Sequence, residues 1–330
     1  MEELFTLTPA CDTVLTYMKT LVNNTYQVLR CLRGAGVVSG QNLSRRLGIS
    51  RVGVWKHVQE LRRQGYCIES SPTGYRLLSA PDLLLPGEFP GWEDRIYHFH
   101  EVDSTMRIAR ELARGDAEEG TLVLAESQSQ GRGRLDRVWL SPPGGIYLTL
   151  VTRPKISPAL ATRVSLVASV SVATALRENL GVPACVKWPN DVLVGGRKVC
   201  GILAEMEAEP DAVRYINIGI GVNVNTPADP QLPAAVSLVE LVGRPVDRRE
   251  VTMRIVTDLL RRLRELTSAS CLNIWRELSG TIGREVCVRQ DNETICGVAV
   301  DIQESGALVV QAADGRRTAV VAGDCTYEGT

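Results

Sequence analysis

Two short segments carry residue types suited to handling an anion. The first, Gln130-Gly131-Arg132-Gly133-Arg134-Leu135-Asp136-Arg137, brings two glycines and three arginines within seven residues. Glycine lets backbone N–H groups approach an anion closely, and guanidinium groups grip phosphate or carboxylate through paired hydrogen bonds. The segment reads as an anion cradle, although a solvated basic loop or a nucleic-acid contact has the same composition. Its spacing is not the GxxxxGK[ST] of a P-loop, and no Rossmann glycine fingerprint falls at a strand-to-helix turn. The second segment, Val186-Lys187-Trp188-Pro189-Asn190-Asp191, leaves Lys187 at a strand end, with Pro189 fixing the turn that follows. A compact cation there suits a carboxylate approaching a phosphate. At about 4 Å and an effective dielectric of about 20, such unit charges repel by about 4 kcal/mol. A lysine between them offsets that repulsion and stabilises charge building on phosphorus. Taken singly, Lys187 also reads as a salt-bridge partner beside a turn.

The chain that must position these segments has 330 residues, enough for two or three domains. With 44% hydrophobic and 23% charged residues it falls outside the collagenous, disordered and membrane-spanning classes. The formal net charge of -1 conceals an uneven distribution. Residues 22–80 carry nine basic side chains against Glu60 and Glu69, whereas 81–330 are mildly acidic. Nine cysteines are scattered without a CxxC pair, so free thiols and no zinc site are expected. With no basic leader ahead of an apolar run, a cytoplasmic location is expected.

Residues 1–21 show no pattern and form an N-terminal extension, in which Met18 is a second candidate start. From Thr25 to Arg33, Tyr26, Leu29 and Leu32 recur at helical spacing, and Gln41–Leu47 reads as a second helix. Ser50 is placed to cap a third helix reaching about Gln64. A hairpin follows, with arms at 66–69 and 75–78. This order predicts a winged helix-turn-helix domain over 22–80, with DNA-facing candidates Ser50, Arg51, Lys56, His57 and, on the wing, Arg76. A basic protein-contact module is the alternative.

A Pro/Gly-rich linker is expected at 81–94, then an α+β domain with a mixed sheet over 95–280. The short alternating strands of 281–330 predict a small β-barrel. His98 and His100 alternate along a strand without a carboxylate or cysteine at ligand spacing, so no metal site is assigned.

GRGR with Trp139, KWPND at 187–191, Lys198-Val199-Cys200-Gly201-Ile202-Leu203 and Gly219–Asn225 together resemble the biotin–protein ligases. Ser50-Arg51 with Trp55-Lys56-His57-Val58 is similar to their bifunctional members, which also repress biotin genes. The resemblance spans about 22–328. It implies a catalytic domain like that of the class II aminoacyl-tRNA synthetases and biotinyl/lipoyl ligases, followed by an SH3-like barrel. It also implies biotin and ATP, with Mg2+ carried by ATP, as substrates, and biotinyl-AMP as the intermediate. The implied partners are a biotin carboxyl carrier protein, operator DNA and a second copy in a ligand-promoted homodimer, with no membrane.

By the same resemblance, Lys187, Arg132 and Arg134 are the catalytic residues. Ser104, Thr105, Met106, Gln128, Gly131, Gly133 and Gly201 join them around biotin, while Asn190 and Asn223 join them around ATP. Gly323-Asp324 resembles the closing turn of the barrel, facing the nucleotide. Met106 stands where the family has Asn, and Asp136 where it often has Gly. A ligase for another acid such as lipoate, or a biotin sensor with weak turnover, is the alternative.

Overall fold

A computed structural model describes residues 24–226, 232–268, 270–290 and 293–327. The expected N-terminal extension lies outside them. The chain divides into two compact units, Met1–Ile96 and Tyr97–Thr330.

In the first unit a helix, α1, covers residues 24–32, followed by α2 (Gly40–Leu47) and α3 (Arg51–Arg63). Ser39 and Ser50 cap α2 and α3 by accepting from Asn42 N–H and Gly53 N–H. Gly48 ends α2 in the left-handed conformation that suits glycine. Leu29, Leu32, Leu43, Val54, Val58 and Leu61 meet in one buried cluster. The wing is β1 (Cys67–Ser71) paired antiparallel with β2 (Gly74–Ser79), and Val38 adds a bridge to Tyr75. The segment expected to be a linker packs onto this core. Leu84 and Phe89 are buried, and Glu88 accepts from Tyr66 Oη and pairs with Arg33.

The second unit is built on a seven-stranded sheet ordered β3-β4-β5-β9-β8-β7-β6. Its strands are β3 (Ile96–Val102), β4 (Leu122–Gln128), β5 (Ile146–Thr152), β6 (Cys185–Lys187), β7 (Asp191–Val194), β8 (Arg197–Ala208) and β9 (Val213–Val222). From β4 to β6 every pairing is antiparallel. Helix α4 (Thr105–Arg114) packs on β4, β5 and β9. Helix α5 (Thr162–Leu180) packs on β8, α7 (Arg248–Arg264) and α8 (Ser270–Leu278). Residues 158–180 are apolar and long enough to cross a membrane, but most of that helix is buried in the domain. A short helix absent from the sequence reading, α6 (Leu238–Val242), begins where Glu240 accepts from Ser237 N–H and Oγ–H.

Strands β10 (Glu285–Gln290), β11 (Glu293–Ile302), β12 (Leu308–Gln311), β13 (Arg317–Val320) and β14 (Asp324–Tyr327) form a five-stranded sheet ordered β13-β12-β11-β10-β14. It is fastened to α5 by Arg163, which donates to Glu304 O, and by Thr162, which donates to Ser305 O, while Arg163 also reaches Leu266 O just beyond α7. The expectation of free thiols is corrected here. Cys287 and Cys296 sit directly opposite each other on β10 and β11, their Cα atoms 4.1 Å apart, and form a disulfide.

Candidate active site

The floor of the site is a stretch of sheet in which three glycines stand where side chains would otherwise rise. Register places Gly201 opposite Gly221, and Gly219 between Leu203 and Thr149. A Cβ at Gly221 would lie 2.4 Å from Trp139 Nε1, and one at Gly219 would lie 2.7 Å from Met106 Sδ. These glycines let the Trp139 indole and the first turn of α4 close over the sheet.

Above this floor lies a cavity of about 440 Å³. Among its lining residues are Ser104, Thr105, Met106, Gln128, Arg132, Gly133, Arg134, Lys187, Asn190, Gly201 and Asn223. Gly131 does not line it. Its backbone passes so near Trp139 O that a Cβ would lie 2.2 Å from that atom, so this glycine shapes the loop.

The inner end is polar and ordered. Gln128 Oε1 accepts from Thr105 N–H at 2.8 Å and Thr105 Oγ–H at 3.0 Å, while its Nε2 donates to Ser141 Oγ at 2.9 Å. Thr149 donates in turn to Thr105 Oγ1. Two buried groups lining the cavity have no partner among the described residues, Ser104 Oγ and Trp139 Nε1. A buried polar group left unpaired is destabilising by about 1–3 kcal/mol, so these atoms are suited to a ligand's polar atoms.

The outer end is cationic. Arg134 is turned inward and donates to Asn190 Oδ1 at 3.2 Å, and burial pulls its pKa below the usual guanidinium value. Asn190 is fixed by donating to Ile202 O. Arg132 is half exposed and lies 3.5 Å from Asp136. Leu135 and Asp136 adopt left-handed backbone angles, and Leu135, Val138 and Leu140 are exposed around the cavity mouth. Lys187 enters from β6 with its ammonium over the Tyr327 ring, 4.6 Å from the centroid. Asp191 and Asp324 line the same cavity but engage Lys198 and Arg137. Asn223 donates to Val236 O at the nucleotide-side candidate positions.

Sequence reasoning did not see the ion cluster beside this site. Glu126, two residues before Gln128, bonds His98 Nε2 at 2.9 Å and Arg248 at 2.8 Å. It engages His98 as a hydrogen-bond partner. No group of three His, Cys, Asp or Glu side chains suited to a metal occurs among the described residues.

In the first unit the DNA-facing candidates separate. Arg51 and Lys56 are exposed on α3, whereas His57 is buried and its Nδ1 bonds Thr25 Oγ1 at 2.9 Å. His57 is therefore removed from the DNA-facing group, because the helical period turns it inward beside Val54 and Val58. Ser50 is engaged in capping α3, and Arg76 pairs with Glu69 at 3.0 Å. Arg45 and Arg46 were missed. With Arg51 and Lys56 they are cations without an ion pair among the described residues, gathered on α2 and the first half of α3. Val52 and Trp55 are exposed between them.

Comparison with known proteins agrees with these two units. The biotin/lipoate A/B protein ligase family matches residues 99–223, an HTH domain matches 24–76, and the biotin protein ligase C-terminal domain matches 281–326. The chain is 38% identical over 298 residues to the bifunctional ligase/repressor BirA of Bacillus spizizenii, covering 86% of this chain and 91% of that one. To the Escherichia coli protein of the same name it is 30% identical, covering 83% and 88%. Among solved structures, biotin protein ligase from Aquifex aeolicus in complex with biotin and ATP is similar with a TM-score of 0.60 and 28% identity, covering 71% of this chain and 98% of that one.

Proposed function

The chain belongs to the biotin protein ligase family, and from that premise we propose a specific division of labour among its residues. The protein activates biotin with ATP and transfers it to a lysine of a biotin carboxyl carrier protein, and its helix-turn-helix unit binds DNA as a repressor. One observation carries the assignment of roles. Lys187, Arg132 and Arg134 line one cavity whose inner end offers unpaired polar groups and whose floor carries Gly201, Gly219 and Gly221.

In the first half-reaction a carboxylate oxygen of biotin attacks the α-phosphorus of Mg·ATP. The bond from that phosphorus to the bridging oxygen breaks, and pyrophosphate leaves. Lys187 lies between the two anions and offsets their repulsion, while Arg132 and Arg134 hold the phosphates. Magnesium enters with its nucleotide, held by phosphates and water. Ser104 Oγ and Trp139 Nε1 pair with the ring end of biotin, alongside Thr105 and the oriented Gln128. In the second half-reaction an uncharged lysine amine of the carrier attacks the acyl carbon, the bond to AMP breaks and the amine gives up a proton. No Cys or Ser nucleophile is required, because the mixed anhydride is already activated. The exposed glycine-rich loop closes over the adenylate as a lid.

Beyond Gly201 the outer edge of β8 has no strand partner among the described residues. An unpaired edge is a ready template for another strand, and it is where a second copy would pair in a ligand-promoted homodimer. A dimer would present two α3 helices to successive half-sites of an operator. A carrier protein and an operator as its partners support a cytoplasmic location.

The test is incubation of the full chain with labelled biotin, ATP and a biotin carrier domain, with lipoate in a parallel reaction. Label should reach the carrier lysine from biotin alone. Transfer of lipoate at a comparable rate, or adenylate formation without transfer, would reject the substrate assignment.

A further inference from the structure

Lys187 carries the charge that the proposed adenylation needs, yet it stands on a strand of only three residues at the edge of the sheet. A long flexible side chain in such a place needs a second contact to keep its ammonium aimed at the cavity. A carboxylate would supply one, but it would also cancel the charge and compete with the substrate's own anions. No ion pair joins Lys187 to a carboxylate among the described residues, since the two that share its cavity are engaged by Lys198 and Arg137.

We propose that Tyr327, on β14, is the positioning residue for Lys187, seating its ammonium on an aromatic face that holds a cation without neutralising it. The Lys187 Nζ lies 4.6 Å from the Tyr327 ring centroid. That is within the range of a cation–π contact. Tyr327 does not line the cavity, although Asp324, Cys325 and Thr326 of the same strand do, so it acts from behind Lys187.

The ring is fixed by the backbone that carries the lysine. Its hydroxyl lies 3.1 Å from Thr281 Oγ1, and Thr281, fully buried, accepts from the Trp188 N–H at 3.0 Å. Burial pushes the Tyr327 phenol up to about 12, which keeps it protonated and uncharged beside the lysine. Arg284 lies 4.9 Å from the same centroid, a second cation on the ring. Through Tyr327, which does not itself line the cavity, the five-stranded sheet thereby reaches the chemistry by the aim of Lys187.

This inference rests on the reading of Lys187 as the adenylation lysine, and a double-mutant cycle separates the two. Biotin-dependent pyrophosphate release is measured for the full chain, for Tyr327→Leu, for Tyr327→Phe, for Lys187→Ala and for Lys187→Ala with Tyr327→Leu, together with thermal unfolding. If the ring acts through the lysine, Tyr327→Leu lowers kcat/KM about tenfold in the native background and less than about twofold beside Lys187→Ala. Tyr327→Phe, which keeps the aromatic face, retains activity within about threefold. An equal loss from Tyr327→Leu in both backgrounds, or no loss in the native one, overturns the proposal. Native-like activity of Lys187→Ala would instead overturn the reading beneath it. Should Tyr327→Leu fail to fold, Tyr327→Met, which keeps a large apolar side chain and removes the aromatic face, takes its place in the same cycle with Lys187→Ala.

Discussion

Arg137, in the glycine-rich loop, forks onto both carboxylate oxygens of Asp324, at the start of β14. The pair joins the glycine-rich loop of the active site to the five-stranded sheet across 187 residues of sequence. The Arg137 hydrogen bond is the main cause of the Asp324 carboxyl being held below its ordinary value of 3.8.

Breaking that latch should loosen the lid. Arg137→Ala and Asp324→Asn should each speed dissociation of biotinyl-AMP by about threefold to tenfold, and the double variant should add little further. Because the folded pKa of Asp324 is depressed, its stabilisation is present above the ordinary carboxylate range and is lost as pH falls through the folded value. The difference in thermal stability between the native chain and Asp324→Asn should therefore shrink on acidification below about pH 4. A pH-independent difference would reject the charge-based account.

Lys187→Ala should slow adenylate formation by about tenfold or more, because an uncompensated meeting of carboxylate and phosphate raises the barrier. Pyrophosphate release from biotin and ATP measures this directly. A near-native rate would remove Lys187 from the chemistry.

Gly221→Ala should weaken biotin binding with little change in the melting temperature. The added methyl would lie 2.4 Å from Trp139 Nε1 and push the indole into the cavity. A loss of about tenfold in affinity by calorimetric titration is expected. Unchanged affinity would show that the indole can move aside without narrowing the site.

Arg51→Ala and Lys56→Ala should weaken DNA binding across sequences, each lowering the salt slope by about 1. Arg45 and Arg46, equally free of ion pairs among the described residues, should behave alike. Fluorescence anisotropy on duplex DNA over a salt series distinguishes phosphate contacts from variants that leave the slope intact.

His57→Ala should act on stability and leave the salt slope unchanged. Removing the buried partner of Thr25 should destabilise the first unit by about 1–3 kcal/mol. Burial lowers the His57 pKa below 6.5, so the unfolded chain binds the proton more readily. Stability contributed by the neutral ring is complete above 6.5 and declines as pH falls from there toward the folded value. Denaturant unfolding between pH 8 and 5 should show this decline in the native chain and not in His57→Ala.

The sequence by itself determined the local elements and the chemistry they carry. Ser50 before an amphipathic run specified the cap of α3, Gly195-Gly196 specified the β7–β8 hairpin, and KWPND placed Lys187 at a strand end. These are short-range consequences of capping, turn conformation and periodicity, so a window of a few residues contains their cause. Only the tertiary structure decided which distant atoms meet. It turned His57 inward, paired Cys287 with Cys296, laid Trp139 over Gly221 and set Tyr327 behind Lys187. Each of those outcomes depends on strand register or on the packing of one element against another. Register and packing are fixed by burying the whole core at once, and no local spacing encodes them.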